Sequence, residues 1–257
     1  MDPIRIPDPR FSVGNRLQEH WNEDMVRALR ELVEAVETLE FPSTVYPPDI
    51  PPDTPDAMDD EFTEATLDAK WTLDNPGTPS DHIVATVGDS FLRLVCQGHA
   101  STDIHSLVQA CPSGDWTYRL KLHHDYSERA AGYQASGLVI LNTTSGRLFT
   151  VELMTHSSGT QVLRSIIWLD YTTASGTITT ATIDAHSPIY IELEKVSDTM
   201  TARWSLSGFD EGFHDLYSGS VANAMFPQSV PDFVGVAMWG TNGIEHTAVC
   251  DWFRRVA

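Results

Sequence analysis

From Asp60 onward the chain is a succession of short runs of β-branched and aromatic residues, punctuated by turn residues, and no stretch of it carries a convincing helical period. Successive side chains of a strand point to opposite faces, so alternating runs of this length suit half-buried strands. They predict strands near 82–86, 89–96, 104–110, 115–122, 135–142, 147–154, 161–171, 177–183, 188–195, 199–206, 232–239 and 246–254. Ser145-Gly146, Ser158-Gly159, Ser175-Gly176 and Asn242-Gly243 stand between runs as hairpin turns. A dozen strands within about 200 residues predict two stacked antiparallel layers, because a single sheet would leave an apolar face in water.

The chain before Asp60 has a different texture. Pro3, Pro7 and Pro9 alternate with Ile4, Ile6 and Phe11, which suits an extended arm over 1–14 that docks on another protein. Residues 15–40 contain neither Gly nor Pro, and Met25, Leu29, Leu32, Val36 and Leu39 recur at spacings 4, 3, 4, 3. That spacing is a heptad seam, with Gln18 and Asn22 at the preceding d and a positions and Val26 and Val33 broadening the stripe. A helix of this length is marginal alone in water, so the seam predicts burial against other copies: a homo-oligomer, with a trimer favoured. Residues 41–58 hold Pro42, Pro47, Pro48, Pro51, Pro52 and Pro55, a semi-rigid linker. The predicted organisation is thus a docking arm (1–14), an oligomerising helix (15–40), a linker (41–58) and a β-sandwich (59–257).

The charge balance narrows the partners. Sixteen Lys+Arg against 36 Asp+Glu give a net charge of -20, which disfavours nucleic acid and anionic membrane surfaces. No run approaches the roughly 18 apolar residues of a membrane span, and MDPIRIPDPRF lacks the basic start and apolar core of a signal peptide. Cytoplasmic synthesis is the expectation. Cys96, Cys111 and Cys250 have no zinc-type spacing and are expected as buried thiols. Asp53, Asp56, Asp59, Asp60 and Glu61 form an acidic stretch that is either solvated linker charge or a set of oxygen donors for a structural Ca²⁺; no other cofactor is expected.

Four segments carry a family resemblance: DDEFTEATLDAKWTLDNPG (59–77), GLVILNTTSGRLFTVELM (137–154), IYIELEKVSDTMTARWSLSG (189–208) and VGVAMWGTNGIEHTAVCDWFRR (234–255). In order and pattern they resemble concanavalin A-like lectin/glucanase domains. The resemblance implies a jelly-roll sandwich whose first and last strands pair, with Phe62, Trp71, Trp252 and Phe253 as aromatics to seal that seam. Glucanases of this kind carry a Glu-x-Asp-x-Glu pattern along one strand face, since a retaining mechanism wants two carboxyl groups about 5–5.5 Å apart. Here Glu192 and Glu194 share a face but Val196 follows, so the pattern is incomplete and no catalytic residue is assigned. Glu152 and Asp170 are a second carboxylate pair that neighbouring strands could bring together.

Sugar recognition combines an aromatic face with amide, carboxylate or imidazole groups. Two groups of residues have that composition: Trp168 and Asp170, pointing the same way, with Glu152 alongside, and Trp239, Asn242, Glu245 and His246 around a loop. Trp168 serves equally well as core. Arm, seam, proline spacer and lectin-like sandwich, in that order, resemble a minor tail, fibre or spike protein of a tailed bacteriophage. The resemblance implies attachment to another virion protein through the arm and exposure on the particle. Multivalent binding of host-surface polysaccharide would follow. Two other readings stay open: a virion decoration without glycan binding, and a glycoside hydrolase or its carbohydrate-binding accessory module.

Overall fold

A computed structural model describes residues 55–76, 83–96, 103–124, 132–156, 160–183, 188–220, 226, 230–241 and 245–256. The predicted docking arm, the seam residues Met25, Leu29, Leu32, Val36 and Leu39, and most of the proline-rich linker lie outside them.

The described residues form 14 strands: β1 (Thr72–Asp74), β2 (Ile83–Gly88), β3 (Phe91–Cys96), β4 (His105–Ala110), β5 (Trp116–His124), β6 (Gln134–Asn142), β7 (Arg147–Thr155), β8 (Gln161–Trp168), β9 (Ala174–Ile183), β10 (Ile189–Val196), β11 (Thr199–Ser205), β12 (His214–Ser220), β13 (Phe233–Gly240) and β14 (His246–Arg255). They pair into two seven-stranded antiparallel sheets, the first in the order β1-β4-β13-β6-β7-β8-β9 and the second in the order β12-β11-β10-β5-β14-β3-β2. This is the mainly β, two-sheet sandwich that alternation predicts. The one helical element among the described residues is a short 3-10 turn, Asp210–Gly212.

Period-2 geometry divides each strand between two environments. Leu138, Ile140, Phe149, Val151 and Val236 of the first sheet pack against Leu94, Leu120, Ile191, Leu193 and Phe253 of the second in one continuous core. Burying each such side chain contributes about 1.5–3 kcal/mol. Cys96 and Cys250 are buried thiols in this core, and Cys111, half-buried, is a free thiol pushed up to about 12 chiefly by desolvation.

The first and last segments do meet. Asp60 and Phe253 exchange backbone hydrogen bonds of 2.8 and 2.9 Å, and Phe62 and Trp71 pack beside Phe253, with ring centroids 6.0 Å (Phe62–Trp71) and 5.2 Å (Trp71–Phe253) apart. Trp252 departs from the expectation: a bulge in the β14–β5 register at this point leaves it outside that cluster, against Tyr190 and the Arg254 guanidinium.

The acidic stretch is also corrected. Asp60 accepts the Trp71 indole N–H at 2.6 Å, Glu61 holds Arg254 through two bonds of 2.6 and 2.8 Å, and Asp59 accepts the Arg255 backbone N–H at 2.6 Å. Asp56 pairs with Arg255 at 3.3 Å. These carboxylates are not solvated linker charge; they fasten the start of the sandwich to its last strand. Met58 packs against the core and its carbonyl accepts the Gln109 amide at 2.8 Å, so the sandwich begins within the last residues assigned to the linker.

Four local expectations change. β8 stops at Trp168 rather than 171, because Asp170 accepts the backbone N–H groups of Thr172 and Thr173 and turns the chain. Ser175-Gly176 lies inside β9, beside a register irregularity, rather than in a turn. Asn242-Gly243 cannot close a hairpin, since β13 and β14 belong to different sheets. β12 is an additional strand whose sequence, HDLYSGS, has too little β-branched character to announce itself.

Candidate functional site

The outer face of the first sheet gathers most of the residues singled out for binding. Register places Asp74, Ser106, Ala237, Gly137, Glu152, Arg164 and Thr180 in one row across it. Trp239, Ala135, Met154 and Val162 form the next row toward one end, and Leu141, Leu148 and Trp168 lie toward the other.

The centre of this face is filled by the chain's own side chains. Glu152 is 2% exposed; its Oε1 accepts Arg164 Nε at 2.7 Å and its Oε2 accepts the Trp239 indole N–H at 3.0 Å. The Arg164 guanidinium also lies over the Trp239 ring, 5.1 Å from its centroid. Trp168 packs edge-on to Trp239 at 5.9 Å and donates its indole N–H to Thr150 Oγ1 at 3.1 Å. Gly137 makes this packing possible: a Cβ there would run into the Val151 carbonyl and the Glu152 backbone, so the floor of the row stays flat beneath the larger groups.

A turn closes over the Trp168 end. The chain between β8 and β9 is pinned by the Leu169 N–H to Thr173 carbonyl bond, and Tyr171 reaches from it to the opposite edge of the sheet. Its hydroxyl donates to Asp74 at 2.6 Å, its carbonyl accepts the Ile104 N–H at 2.9 Å, and its ring packs on the outer-face apolar cluster. Burial and the Asp74 carboxylate both raise the Tyr171 hydroxyl above its ordinary range. Trp168 and Trp239, at 2% and 4% exposure, therefore belong to a second, smaller core and offer no open ring to a ligand. For Trp239 this corrects its reading as an aromatic at a loop end, since it sits inside β13.

The remaining candidates separate. Asp170 does not share a face with Trp168 or meet Glu152, whose cross-strand partner is Arg164; it caps its own turn, and bonds from Thr172 and Thr173 hold its carboxyl below the usual range. His246 is buried, its ring so close to Gly240 that a side chain there would crowd it. Glu245 is exposed, and Asn242 lies outside the described residues.

An aromatic that the sequence reading passed over stands at the Trp239 end. Tyr133, just before β6, is 39% exposed and meets the His156 imidazole edge-on, with ring centroids 4.7 Å apart. It is fixed by two bonds to Thr241: the Tyr133 N–H donates to Thr241 Oγ1 at 2.9 Å and the Thr241 N–H donates to the Tyr133 carbonyl at 3.0 Å. Tyr133, His156 and Thr241 thus extend β6, β7 and β13 at one rim of the face, with Glu245 following closely in the chain. An aromatic immediately ahead of a strand, two positions from outward-facing Ala135, was the available signal.

The other carboxylate pair lies on the outer face of the second sheet. Glu192 accepts Arg119 and Arg203, both at 2.6 Å, and Glu194 accepts Arg203 at 2.7 Å, so the two do share a face, as an ion-paired ladder. Among the described residues no group of three or more His, Cys, Asp or Glu is arranged to hold a metal ion, and no helix is long and apolar enough to cross a membrane.

No family model and no curated protein matches the chain. Solved structures do. A xylan beta-1,4-xylosidase from Bacillus Halodurans C-125 aligns with a TM-score of 0.58 at 18% identity, over 79% of this chain and 41% of that one. The CBM2 module of the Lactobacillus casei BL23 phage J-1 evolved Dit aligns with a TM-score of 0.53 at 13% identity, over 76% and 93%. A beta-1,3-glucanase from Mycobacterium marinum aligns with a TM-score of 0.53 at 13% identity, over 79% and 100%. The chain spans about two fifths of the length of the Bacillus structures, 39% and 41% for the GH43 protein of Bacillus licheniformis and 41% for the xylosidase. The neighbours are thus GH43, xylosidase and glucanase structures and the CBM2 module of a phage Dit, and at these identities the likeness is one of fold.

Proposed function

We propose that this chain is a virion-associated adhesion protein, of the minor tail, fibre or spike kind, whose sandwich binds host-surface glycan without hydrolysing it. The observation that carries the binding reading is the Tyr133 rim: an exposed ring, held in place by Thr241, beside an imidazole and hydroxyls, at the open end of a face otherwise filled. A sugar ring can lay its C–H face on such an aromatic while its hydroxyls meet His156, Thr241 and Glu245.

Binding is favoured over hydrolysis by the state of the carboxylates. Glu152 has both oxygens engaged, and the other acid of its row, Asp74, stands four strands away with its carboxylate on the Tyr171 hydroxyl. Glu192 is held by two arginines. Glu194, which shares the face of Glu192, is likewise bound to Arg203, so the two acids stand together as glycosidase pairs do but are both tied into ion pairs. The virion setting rests on the resemblance of the chain's plan to phage tail and fibre proteins and on likeness to a phage Dit module.

The test is a glycan array of host-surface polysaccharides probed with the full chain and with Tyr133→Ala. The parent should bind, and the variant should lose about tenfold in affinity, the equivalent of one stacking contact. No binding by the parent would favour the decoration reading. Release of reducing sugar by the parent, lost in Glu152→Gln or Glu192→Gln, would favour the hydrolase reading.

A further inference from the structure

Tyr133 precedes β6 and Thr143 follows it, so the two mark opposite ends of the sandwich. At the Thr143 end a cavity of about 680 Å³ opens between strand ends of both sheets, a volume in the range of small-ligand sites. Its walls are the chain between β4 and β5, the β6–β7 turn, the end of β10 and the segment leading into β13. Hydrogen bonds fasten these walls: the Cys111 N–H donates to the Asp232 carbonyl at 2.7 Å, the Asp232 N–H to the Leu141 carbonyl at 2.8 Å and the Asn142 side-chain amide to the Val230 carbonyl at 2.6 Å. The cavity is therefore set before any ligand arrives.

Two opposite charges line this cavity without meeting. Lys195 donates to the Gly114 carbonyl at 2.9 Å, and among the described residues no carboxylate pairs with it. Asp232 accepts the Thr143 N–H and hydroxyl, both at 2.8 Å and both on Oδ2, and among the described residues no cation pairs with it. Arg119, Lys121, Arg164, Arg203, Arg254 and Arg255, by contrast, all hold carboxylates. An ammonium carries three donors and a carboxylate two acceptor oxygens, so Lys195 retains donors and Asp232 retains Oδ1 as an acceptor. The rest of the lining is largely apolar, from Trp116, half-buried Phe233 and the rings of Pro112 and Pro231.

We propose that this cavity is a second saccharide site, taking one neutral sugar unit. A sugar hydroxyl both donates and accepts, so one hydroxyl or an adjacent pair bridges the Lys195 ammonium and the Asp232 carboxylate. The C–H face of the ring then lies on Phe233 and the prolines. The chain's net charge of -20 disfavours an anion at Lys195 and leaves a neutral ligand unaffected. An amine would meet the Lys195 ammonium as a like charge. The site shares no residue with the Tyr133 rim and stands whether or not the rim binds.

Saturation-transfer NMR on the full chain carrying Tyr133→Ala, which removes the contribution of the rim, tests this. The probes are the methyl glycosides of glucose, galactose and mannose, with methyl glucuronoside and glucosamine as charged counterparts. At least one neutral glycoside should bind, and more tightly than either charged sugar. Lys195→Met, which keeps the aliphatic stem, and Asp232→Asn, which can still accept from Thr143, should each weaken that binding about tenfold, the loss of one hydrogen bond to a charged group. No binding by any neutral glycoside, tighter binding of a charged sugar, or binding that either variant leaves unchanged would overturn the inference.

Discussion

Glu152 and Glu192 sit on the outward faces of the two sheets, both nearly fully buried and both holding arginine, yet the faces around them differ in kind. Around Glu152 the face is apolar and roofed: two tryptophans, a cluster of aliphatic side chains and the Tyr171 turn leave one ion pair inside a small second core. Around Glu192 the face is a ladder of charges, in which Arg119 and Arg203 are shared among Glu192, Glu194, Asp210 and Asp215 beside solvent. The same period-2 alternation builds both. A buried pair in an apolar setting has no substitute when one partner is lost, whereas a ladder redistributes its contacts.

The largest expected difference follows from that contrast. Arg164→Met leaves Glu152 as an unpaired buried charge and should lower unfolding free energy by about 3–5 kcal/mol in urea titration. Replacing both partners, Arg164→Met with Glu152→Leu, should recover most of it. Arg203→Met on the other face should cost only about 1 kcal/mol, since Arg119 still holds Glu192; equal losses in the two single variants would erase the distinction.

Trp168→Ala should cost a comparable 3–5 kcal/mol as a core truncation, where an open ligand platform would tolerate it. Gly137→Ala should cost about 1–3 kcal/mol from overpacking against β7, read as a drop in Tm.

The smallest effect lies on the charged face. Burial opposes ionisation of Asp251, but bonds from His123 and Lys121 outweigh it and hold the carboxyl below its usual range. Its stabilisation is therefore complete above the unfolded-state value near 4 and is lost as pH falls through its own lower value. Asp251→Asn should destabilise by less than about 1 kcal/mol at pH 7, and the difference from the parent should vanish in strong acid. A difference that grows toward low pH would contradict the pairing.

Much of the sandwich was legible because strand alternation is local: the cores of β3, β6, β7, β10 and β13 fall where the apolar pattern puts them. What alternation does not encode is pairing. Asn242-Gly243 has hairpin chemistry, yet its flanking strands enter different sheets, a choice made by the whole topology. Trp168 and Trp239 stand on the outward face, as binding aromatics would, but the Trp168 end is closed by Tyr171, whose contacts with Asp74 and Ile104 span the sheet, and the Trp239 ring lies under the Arg164 guanidinium. The acidic stretch looked like solvated charge because its partners, Arg254 and Arg255, lie nearly two hundred residues away.

The central claim is that the outer face of the first sheet is closed, so that recognition falls to its rim. Hydrogen exchange of the Trp168 and Trp239 indole N–H groups, followed by NMR in the free protein, tests it directly. Both are bonded inside the second core, to Thr150 and Glu152, and should exchange only on the timescale of global unfolding. Exchange of either at the rate of a solvent-exposed indole would show that face to be open and would contradict the account.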